Sequence, residues 1–242
     1  MAKGTAMTGD VKPWGIFATF ALGAVALLAG QLSGIAALSG LYGLDLGQVP
    51  NVSRDGGAIV LFIFVSAPLQ VGLLIVAAAY KGDAAAYLGY KWPRLSEVLF
   101  SVAALVAVLV VGDTVSWLAG RDIVDRFQSD IYQAAKSANL LLLLLVAITV
   151  FIPITEESLF RGFLFRGWLR TPNHAWPVIA ITAGLFAVIH VQYDWFLMCQ
   201  VFAFGVLFGW IRWATGSTIL TMLLHGLVNL EGVIETVLSA SG

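Results

Sequence analysis

The sequence predicts an all-α, polytopic transmembrane helical bundle of about seven spans. Of its 242 residues, 60% are hydrophobic and only 11% are charged, a balance that a water-soluble globule of this size cannot accommodate. Several apolar stretches approach the roughly 20 helical residues needed to cross a hydrocarbon core of about 30 Å. The eight tryptophans fall near the ends of these stretches, and the indole ring prefers the headgroup region there.

Each predicted span is an apolar stretch in which a helix satisfies its own backbone polar groups, as lipid requires. The first is too long for a signal-peptide core and lacks a small-residue cleavage site, so we expect it to be retained. The fifth is short, and an eighth span would require the first to be broken near residues 30–34. The seven spans cover approximately residues 15–41, 58–80, 97–118, 140–165, 176–191, 196–214 and 218–238.

The segment 121–139, between the third and fourth spans, carries Ile123, Phe127 and Ile131 at intervals of four among charged residues. This spacing predicts an amphipathic helix that lies on the outer interface. It would serve as a lid over a substrate site or as a helix that covers the bundle. No internal repeat or second domain is evident, so residues 1–242 are predicted to form one integral membrane domain with a cytoplasmic tail at residues 1–13.

The charge content limits the partners of this chain. Thirteen basic and 14 acidic residues give a net charge of −1, which does not favour nucleic acid binding. The positive-inside rule predicts a cytoplasmic N-terminus, and we expect a bacterial inner membrane protein. The basic residues assigned to the N-terminal side are Lys3, Lys12, Lys81, Lys91, Arg94, Arg161, Arg166, Arg170 and Arg212. A single cysteine, Cys199, excludes a disulfide within the chain and a cysteine-based metal cluster.

The fourth span contains three charged residues, Glu156, Glu157 and Arg161. An ionisable group at mid-bilayer costs about 2.5 to 3.5 kcal/mol. Three such groups in one span therefore indicate a structural or functional role. Glu157 and Arg161 are four residues apart and are expected to neutralise each other on one helix face. Glu156 projects about 100° away and has no partner in the helix. The alternative, a helix that ends near water, is disfavoured because apolar residues continue beyond Arg161 and Pro153 is typical of a kink.

Two of the three histidines lie in apolar stretches. His190 ends the fifth predicted span, and His225 lies in the seventh, where Asn229 shares its face at a spacing of four. A turn at residues 171–174 is expected to join spans four and five as an antiparallel hairpin. Counted from this turn at 1.5 Å per residue, Glu156 and His190 lie at the same depth, about 21 Å away. We therefore predict that Glu156, His190, His225 and Asn229 converge in one layer of the bundle.

A carboxylate and an imidazole that share a water form a general-base arrangement. Ser158 faces away from Glu156 on the helix, and Cys199 has no basic neighbour, so water is the predicted nucleophile. His225 and Asn229 would then donate hydrogen bonds to the oxyanion of a tetrahedral intermediate.

The three motifs Glu156-Glu157-x-x-x-Arg161, Phe186-x-x-x-His190 and His225-x-x-x-Asn229 resemble those of the CPBP family. This is the CAAX prenyl protease and bacteriocin-processing family of intramembrane proteases, also called the Abi family. The resemblance covers residues 140–238, which we regard as the catalytic core. It implies a polytopic helical fold with a cavity that opens to the cytoplasm and to lipid.

The resemblance also implies roles for the individual residues. Glu156 and His190 would activate the water, Glu157 and Arg161 would brace the helix, and His225 and Asn229 would hold the oxyanion. The family has been described both as metalloproteases and as glutamate-dependent proteases. We prefer a mechanism without a cofactor because no His-Glu-x-x-His spacing is present. Zinc held by Glu156, His190 and His225 is the alternative.

The sequence thus predicts an intramembrane endopeptidase that hydrolyses peptides or membrane proteins within lipid. The competing hypothesis is a non-catalytic structural or assembly subunit of a larger membrane complex that retains the same fold. The pairs Gly30/Gly34 and Gly205/Gly209 have the spacing that allows close helix contact, either with partners or within the monomer. A proton-coupled transporter is disfavoured because the two halves show no symmetry.

Overall fold

The protein is described by a computed structural model that covers residues 11–43, 55–121 and 124–240, and these residues form helices and no strands. The predicted all-α fold is therefore confirmed. The N-terminal half of the described chain contains helices α1 (Ile16–Tyr42), α2 (Gly56–Ala79), the short α3 (Ala84–Leu88), α4 (Leu95–Leu118) and α5 (Arg126–Ser137).

The fourth span is one continuous helical rod, Leu141–Trp168, in which α-helical and wider π-helical turns alternate. Pro153 lies inside this rod, as predicted. Its successive segments are α6 (Leu141–Val146), a first π-helical segment (Ala147–Phe151), α7 (Ile152–Glu157), a second π-helical segment (Ser158–Leu164) and α8 (Phe165–Trp168). All seven residues of the second π-helical segment are buried, so this part of the rod lies at the centre of the bundle.

The remaining helices are α9 (Ala175–Val188), α10 (Trp195–Thr215) and α11 (Thr218–Ser239), with a 3₁₀ turn at Pro172–His174 before α9. Within the described residues, six helices are long and apolar enough to cross a membrane. The predicted fifth span corresponds to α9, which has 14 residues and therefore rises only about 21 Å. The protein is an integral membrane protein with six full-length candidate spans and one shorter apolar helix, which agrees with the prediction of about seven.

Two predicted positions differ from the structure. His190 was expected inside the fifth span, but α9 ends at Val188 and His190 lies in the connection to α10. The amphipathic helix begins at Arg126, later than expected, because Asp125 and Gln128 form a capping box that fixes its start. Ile123 and residues 1–10 of the predicted tail lie outside the described residues.

The glycine pairs allow close packing inside the monomer. A Cβ atom at Gly30 would lie 2.9 Å from the Gln70 side chain, and one at Gly34 would lie 2.6 Å from the Phe62 ring, both on α2. On α10, Gly205 and Gly209 approach α9 in the same way, where the nearest side chains are those of Ala183 and Ile179. The pairs therefore serve contacts between helices of the same chain, and the spacing no longer supports an external partner.

Candidate active site

The predicted pair of Glu157 and Arg161 is present and fully buried. Nη1 of Arg161 donates a hydrogen bond of 2.8 Å to Oε1 of Glu157, and neither side chain is exposed. Nη2 of Arg161 donates to the carbonyl of Gly205 on α10, at 3.1 Å. The guanidinium also lies over the ring of Phe186, 4.4 Å from its centroid. Arg161 thus neutralises Glu157 and ties the fourth span to α9 and α10.

His225 connects this ion pair to the neighbouring glutamate. Its Nδ1 lies 3.1 Å from Oε1 of Glu157, and its Nε2 lies 3.9 Å from Oε2 of Glu156. The ring is buried and stacks on Phe208, with centroids 5.6 Å apart. Because a carboxylate can only accept, Nδ1 of His225 must donate to Glu157. In the neutral ring this leaves Nε2 as an acceptor that faces Glu156.

Glu156 is the glutamate without a charged partner in its own helix, as predicted. Its Oε2 atom is buried and makes no hydrogen bond, although the side chain as a whole is 20% exposed. Among the described residues, His225 provides the only imidazole within 4 Å of this carboxylate. The two neighbouring glutamates therefore differ: Glu157 is locked in a buried ion pair, and Glu156 borders open space.

His190 lies just beyond α9 and is partly exposed. Its Nδ1 donates a hydrogen bond of 2.7 Å to the Phe186 carbonyl one turn earlier, so Nε2 is the acceptor in the neutral ring. The Phe186 ring contacts both histidines, with centroids 4.7 Å from His190 and 5.8 Å from His225. The phenylalanine of the Phe186-x-x-x-His190 motif therefore packs between the two imidazoles.

Asn229 shares a face of α11 with His225. One of its two amide hydrogens is used in a hydrogen bond within the protein. Nδ2 of Asn229 donates to the carbonyl of Ile148 at 2.8 Å, inside the first π-helical segment. Next to it, a Cβ atom at Gly226 would lie only 2.6 Å from the Thr149 carbonyl oxygen. The hydrogen bond from Asn229 ties α11 to the first π-helical segment of the fourth span. The other amide hydrogen is the one that remains for a substrate.

A cavity of about 1630 Å³ brings the predicted site residues together. It is lined mainly by apolar side chains of α2, α4, α5, α10 and α11 and of the fourth span. Glu156, His190, His225 and Asn229 all line it, so the structure places the four predicted residues around one space. Large, mostly apolar cavities with a few polar groups are typical of ligand and substrate sites.

The three residues of the zinc alternative do not form a compact set of ligands. Two ligands of one tetrahedral zinc, each about 2.1 Å from the metal, lie roughly 3.4 Å apart, whereas Glu156 and His225 are 3.9 Å apart. Among the described residues, the three-membered group whose possible ligand atoms all lie within 4.8 Å of one another is Asp113, Glu231 and Glu235. The possible ligand atoms of Glu156, His190 and His225 therefore do not all lie within 4.8 Å of one another.

From the sequence, Arg212 is predicted to lie near the membrane surface. In the structure it is buried, with only 2% of its surface exposed. Its Nε donates to the carbonyl of Arg161 at 3.0 Å, in the second π-helical segment. A Cβ atom at Gly89, whose φ is +71°, would lie 2.4 Å from the guanidinium, so only glycine fits beside it. The one sequence feature that could have indicated a buried role for Arg212 is its position within the last two turns of an apolar helix.

Two further polar features of the cavity were not recognised in the sequence. Tyr193 follows His190 by three residues and lines the cavity. At another part of the lining, Asp113 of α4 lies near Glu231 and Glu235 of α11. A spacing of four between two glutamates in an apolar span was the available signal for the second feature, because it places both on one helix face.

Comparison with known proteins finds similarity in the C-terminal region. Residues 138–230 match the family model of type II CAAX prenyl endopeptidases of the Rce1-like kind. An uncharacterized 24.3 kDa protein of Escherichia coli is 31% identical over 96 residues, which cover 38% of this chain and 43% of that protein. The chain therefore aligns with less than half the length of this relative. No solved structure matches.

Proposed function

We propose that this protein is an intramembrane endopeptidase, because residues 138–230 match the family model of Rce1-like type II CAAX prenyl endopeptidases, which is consistent with the resemblance to the CPBP family. The family match supports a protease of this general type. The observation that carries the mechanism is the unpaired Oε2 of Glu156, which faces Nε2 of His225 across 3.9 Å at the wall of a large cavity.

In the proposed first step, a water molecule attacks the scissile carbonyl carbon. A water that bridges Oε2 of Glu156 and Nε2 of His225 can lie within hydrogen-bonding distance of both atoms. Its oxygen forms the new bond to carbon, its proton passes to the Glu156 carboxylate, and the carbonyl electron pair moves onto oxygen. The second hydrogen of the water is accepted by Nε2 of His225 or by Nε2 of His190, which is also an acceptor in the neutral ring.

In the second step, the tetrahedral intermediate collapses and the C–N bond breaks. Glu156 returns its proton to the departing amine, so the enzyme is restored to its starting state. The remaining amide hydrogen of Asn229 would stabilise the oxyanion, while Nε2 of neutral His225 accepts a hydrogen bond from the new hydroxyl group. Glu157 and Arg161 take no part in proton transfer and hold His225 in place through the 3.1 Å contact.

The lining of the cavity supports a hydrophobic substrate. Most of its wall is apolar, so an apolar peptide segment would bind there with a gain from burial. We propose membrane-embedded proteins or short hydrophobic peptides as substrates, with lipid as the surrounding medium. We further propose that the protein resides in a bacterial inner membrane with a cytoplasmic N-terminus, supported by the distribution of basic residues.

Cleavage of candidate membrane peptides by the purified protein, followed by mass spectrometry, tests this proposal. We expect the wild-type protein to produce two fragments, and we expect Glu156→Gln and His190→Ala each to reduce that production. Glu97→Gln is the matched control. Glu97 lies at the start of α4, where its side chain accepts a hydrogen bond from the Arg94 backbone, and glutamine can make the same bond. Equal cleavage by wild type, Glu156→Gln and His190→Ala would contradict the proposal.

A separate experiment addresses the cofactor. We propose that no metal is needed, since the donor atoms of Glu156, His190 and His225 are not arranged as one ligand set. Cleavage should then persist after treatment with a strong zinc chelator, and elemental analysis should find less than one metal per chain. A stoichiometric metal that is lost together with activity would reject the mechanism without a cofactor.

A further inference from the structure

Tyr193 supplies a phenol to the cavity lining near the proposed site, and its surroundings determine how its hydroxyl group can bond. Tyr193 lies in the connection between α9 and α10, and its backbone N–H donates to the His190 carbonyl at 3.0 Å. The Tyr193 ring is nearly parallel to the His190 ring, with centroids 6.1 Å apart and an interplanar angle of 12°. The phenol is thus held next to one residue of the proposed site.

Helix α5 holds the same phenol from the other side. The ring of Phe127 meets the Tyr193 ring edge-on, at 6.2 Å and 89°, and the side chain of Gln128 acts on the Tyr193 hydroxyl as a hydrogen-bond partner that lowers its pKa. The Oε1 atom of Gln128 already accepts the backbone N–H of Asp125 in the capping box, at 3.3 Å. A hydrogen bond that lowers the pKa of a phenol is donated to its oxygen, so Nε2 of Gln128, which can only donate, is the atom that faces Tyr193.

The direction of this hydrogen bond decides what the hydroxyl group can do. Since Gln128 donates to the phenol oxygen, the hydroxyl hydrogen of Tyr193 is not used in that bond and can be donated elsewhere. Burial, and after it the negative charges of Asp125 and Glu156, raise the pKa of Tyr193 to about 12. The group therefore stays protonated at neutral pH and acts as a donor.

We propose that Tyr193 donates its hydroxyl hydrogen to the scissile carbonyl of the substrate and to the oxyanion that forms from it, and that Gln128 of α5 sets the direction of this donation. The inference rests on the proposed protease function and adds a donor to that site. It also gives α5 a specific role, since the helix that borders the cavity would position a group that contacts the substrate. No proton is transferred from Tyr193.

Substitution of Tyr193 by phenylalanine removes the hydroxyl and keeps the ring contacts. Loss of one oxyanion donor typically lowers kcat by about 10²- to 10³-fold, so we expect Tyr193→Phe to lower kcat in this range with little change in KM. Tyr80→Phe is the matched control, because Tyr80 is 81% exposed and stacks on Trp14 away from the cavity. Wild-type kcat in Tyr193→Phe would overturn the inference.

Gln128→Glu tests the direction of the hydrogen bond. Glutamate keeps the oxygen that caps α5 but cannot donate when ionised, so the Tyr193 hydroxyl would donate to it and be lost to the substrate. We expect Gln128→Glu to lower kcat in the wild-type background and to have no further effect in a Tyr193→Phe background. Fully additive effects in this double-mutant cycle would show that the two residues act independently and would overturn the positioning role.

A binding measurement separates this inference from the protease proposal because it requires no turnover. The probe is a hydrophobic peptidyl trifluoromethyl ketone, which forms a tetrahedral hydrate. The unmodified peptide, whose carbonyl is planar, is the comparison ligand. Both are titrated into the Glu156→Gln protein. If Tyr193 contacts the tetrahedral centre, adding Tyr193→Phe weakens binding of the ketone more than binding of the peptide. Equal weakening of both, or of neither, would overturn the inference even where the protein cleaves its substrates.

Discussion

The Nδ1 atom of His225 lies 3.1 Å from Oε1 of Glu157, while its Nε2 atom lies 3.9 Å from Oε2 of Glu156. One imidazole therefore bridges two adjacent glutamates that have different environments. Glu157 is fully buried with Arg161, and Glu156 borders the cavity. This arrangement explains how two carboxylates in succession can be tolerated in an apolar helix: one is neutralised, and the other faces a space where a substrate and water can enter.

Replacement of Arg161 by methionine should strongly destabilise the fold. The change leaves the Glu157 carboxylate buried without its ion-pair partner, which typically costs about 3–5 kcal/mol. Thermal unfolding in detergent would measure this loss. Arg121→Met is the matched control, because Arg121 pairs with Asp194 at an exposed position, where such pairs contribute about 0–1 kcal/mol. Similar losses for the two variants would show that burial does not determine the contribution of the ion pair.

Replacement of Asn229 by alanine should reduce stability as well as cleavage. The Ile148 carbonyl in the first π-helical segment loses its hydrogen bond from Nδ2, and a typical intramolecular hydrogen bond contributes about 0.5–1.5 kcal/mol. Asn173→Ala, in the exposed turn before α9, should change stability by less than about 0.5 kcal/mol. Wild-type stability in Asn229→Ala would contradict the structural role assigned to this side chain.

Substitution of Gly226 by alanine should disturb the position of His225. The new Cβ would lie 2.6 Å from the Thr149 carbonyl oxygen, which belongs to the backbone and cannot rotate away, so α11 must shift at a cost of about 1–3 kcal/mol. Gly184→Ala in α9 meets no atom within 4 Å and should stabilise its helix by roughly 0.5–1 kcal/mol. The pair can be compared by unfolding and cleavage assays, and equal behaviour of the two variants would contradict the close packing of α11.

The stability contribution of Asp194 should depend on pH in a defined direction. Backbone N–H groups at the start of α10, led by that of Leu197, and the side chain of Arg121 lower its pKa from the ordinary value of 3.8. A lowered folded-state pKa means that the contribution is present above pH 3.8 and is lost as the pH falls through the folded value. The difference in melting temperature between wild type and Asp194→Asn should therefore shrink on acidification below pH 4. Asparagine retains the helix cap, so a constant difference would reject the charge-based explanation.

The sequence predicted those parts of the site that depend on helical spacing. The pairing of Glu157 with Arg161 follows from their separation of four residues, and the isolation of Glu156 follows from the 100° turn between neighbours. The depth estimate placed Glu156 and His190 at the same level, and both line one cavity, although His190 lies beyond the end of α9 rather than within a helix. Helix ends are set by local capping and turn contacts, which apolar composition alone does not reveal.

Other features depend on tertiary contacts and could not be predicted. The two π-helical segments have no signature in a pattern based on 3.6 residues per turn, so the pairing of Asn229 with the Ile148 carbonyl was not foreseen. The burial of Arg212 depends on Gly89 and Arg161, which are distant in sequence. The position of Tyr193 likewise depends on Gln128 and Phe127 of α5, a helix for which the sequence indicated only an amphipathic character.

The most direct test of the central claim is the kcat for peptide cleavage by Glu156→Gln relative to wild type, measured on folded protein with an unchanged melting temperature. Glutamine preserves the size of the side chain but cannot accept the proton of water, and loss of a general base typically lowers the rate by about 10²- to 10⁴-fold. The proposed mechanism predicts a loss in this range. A kcat equal to that of wild type would contradict the assignment of Glu156 as the base.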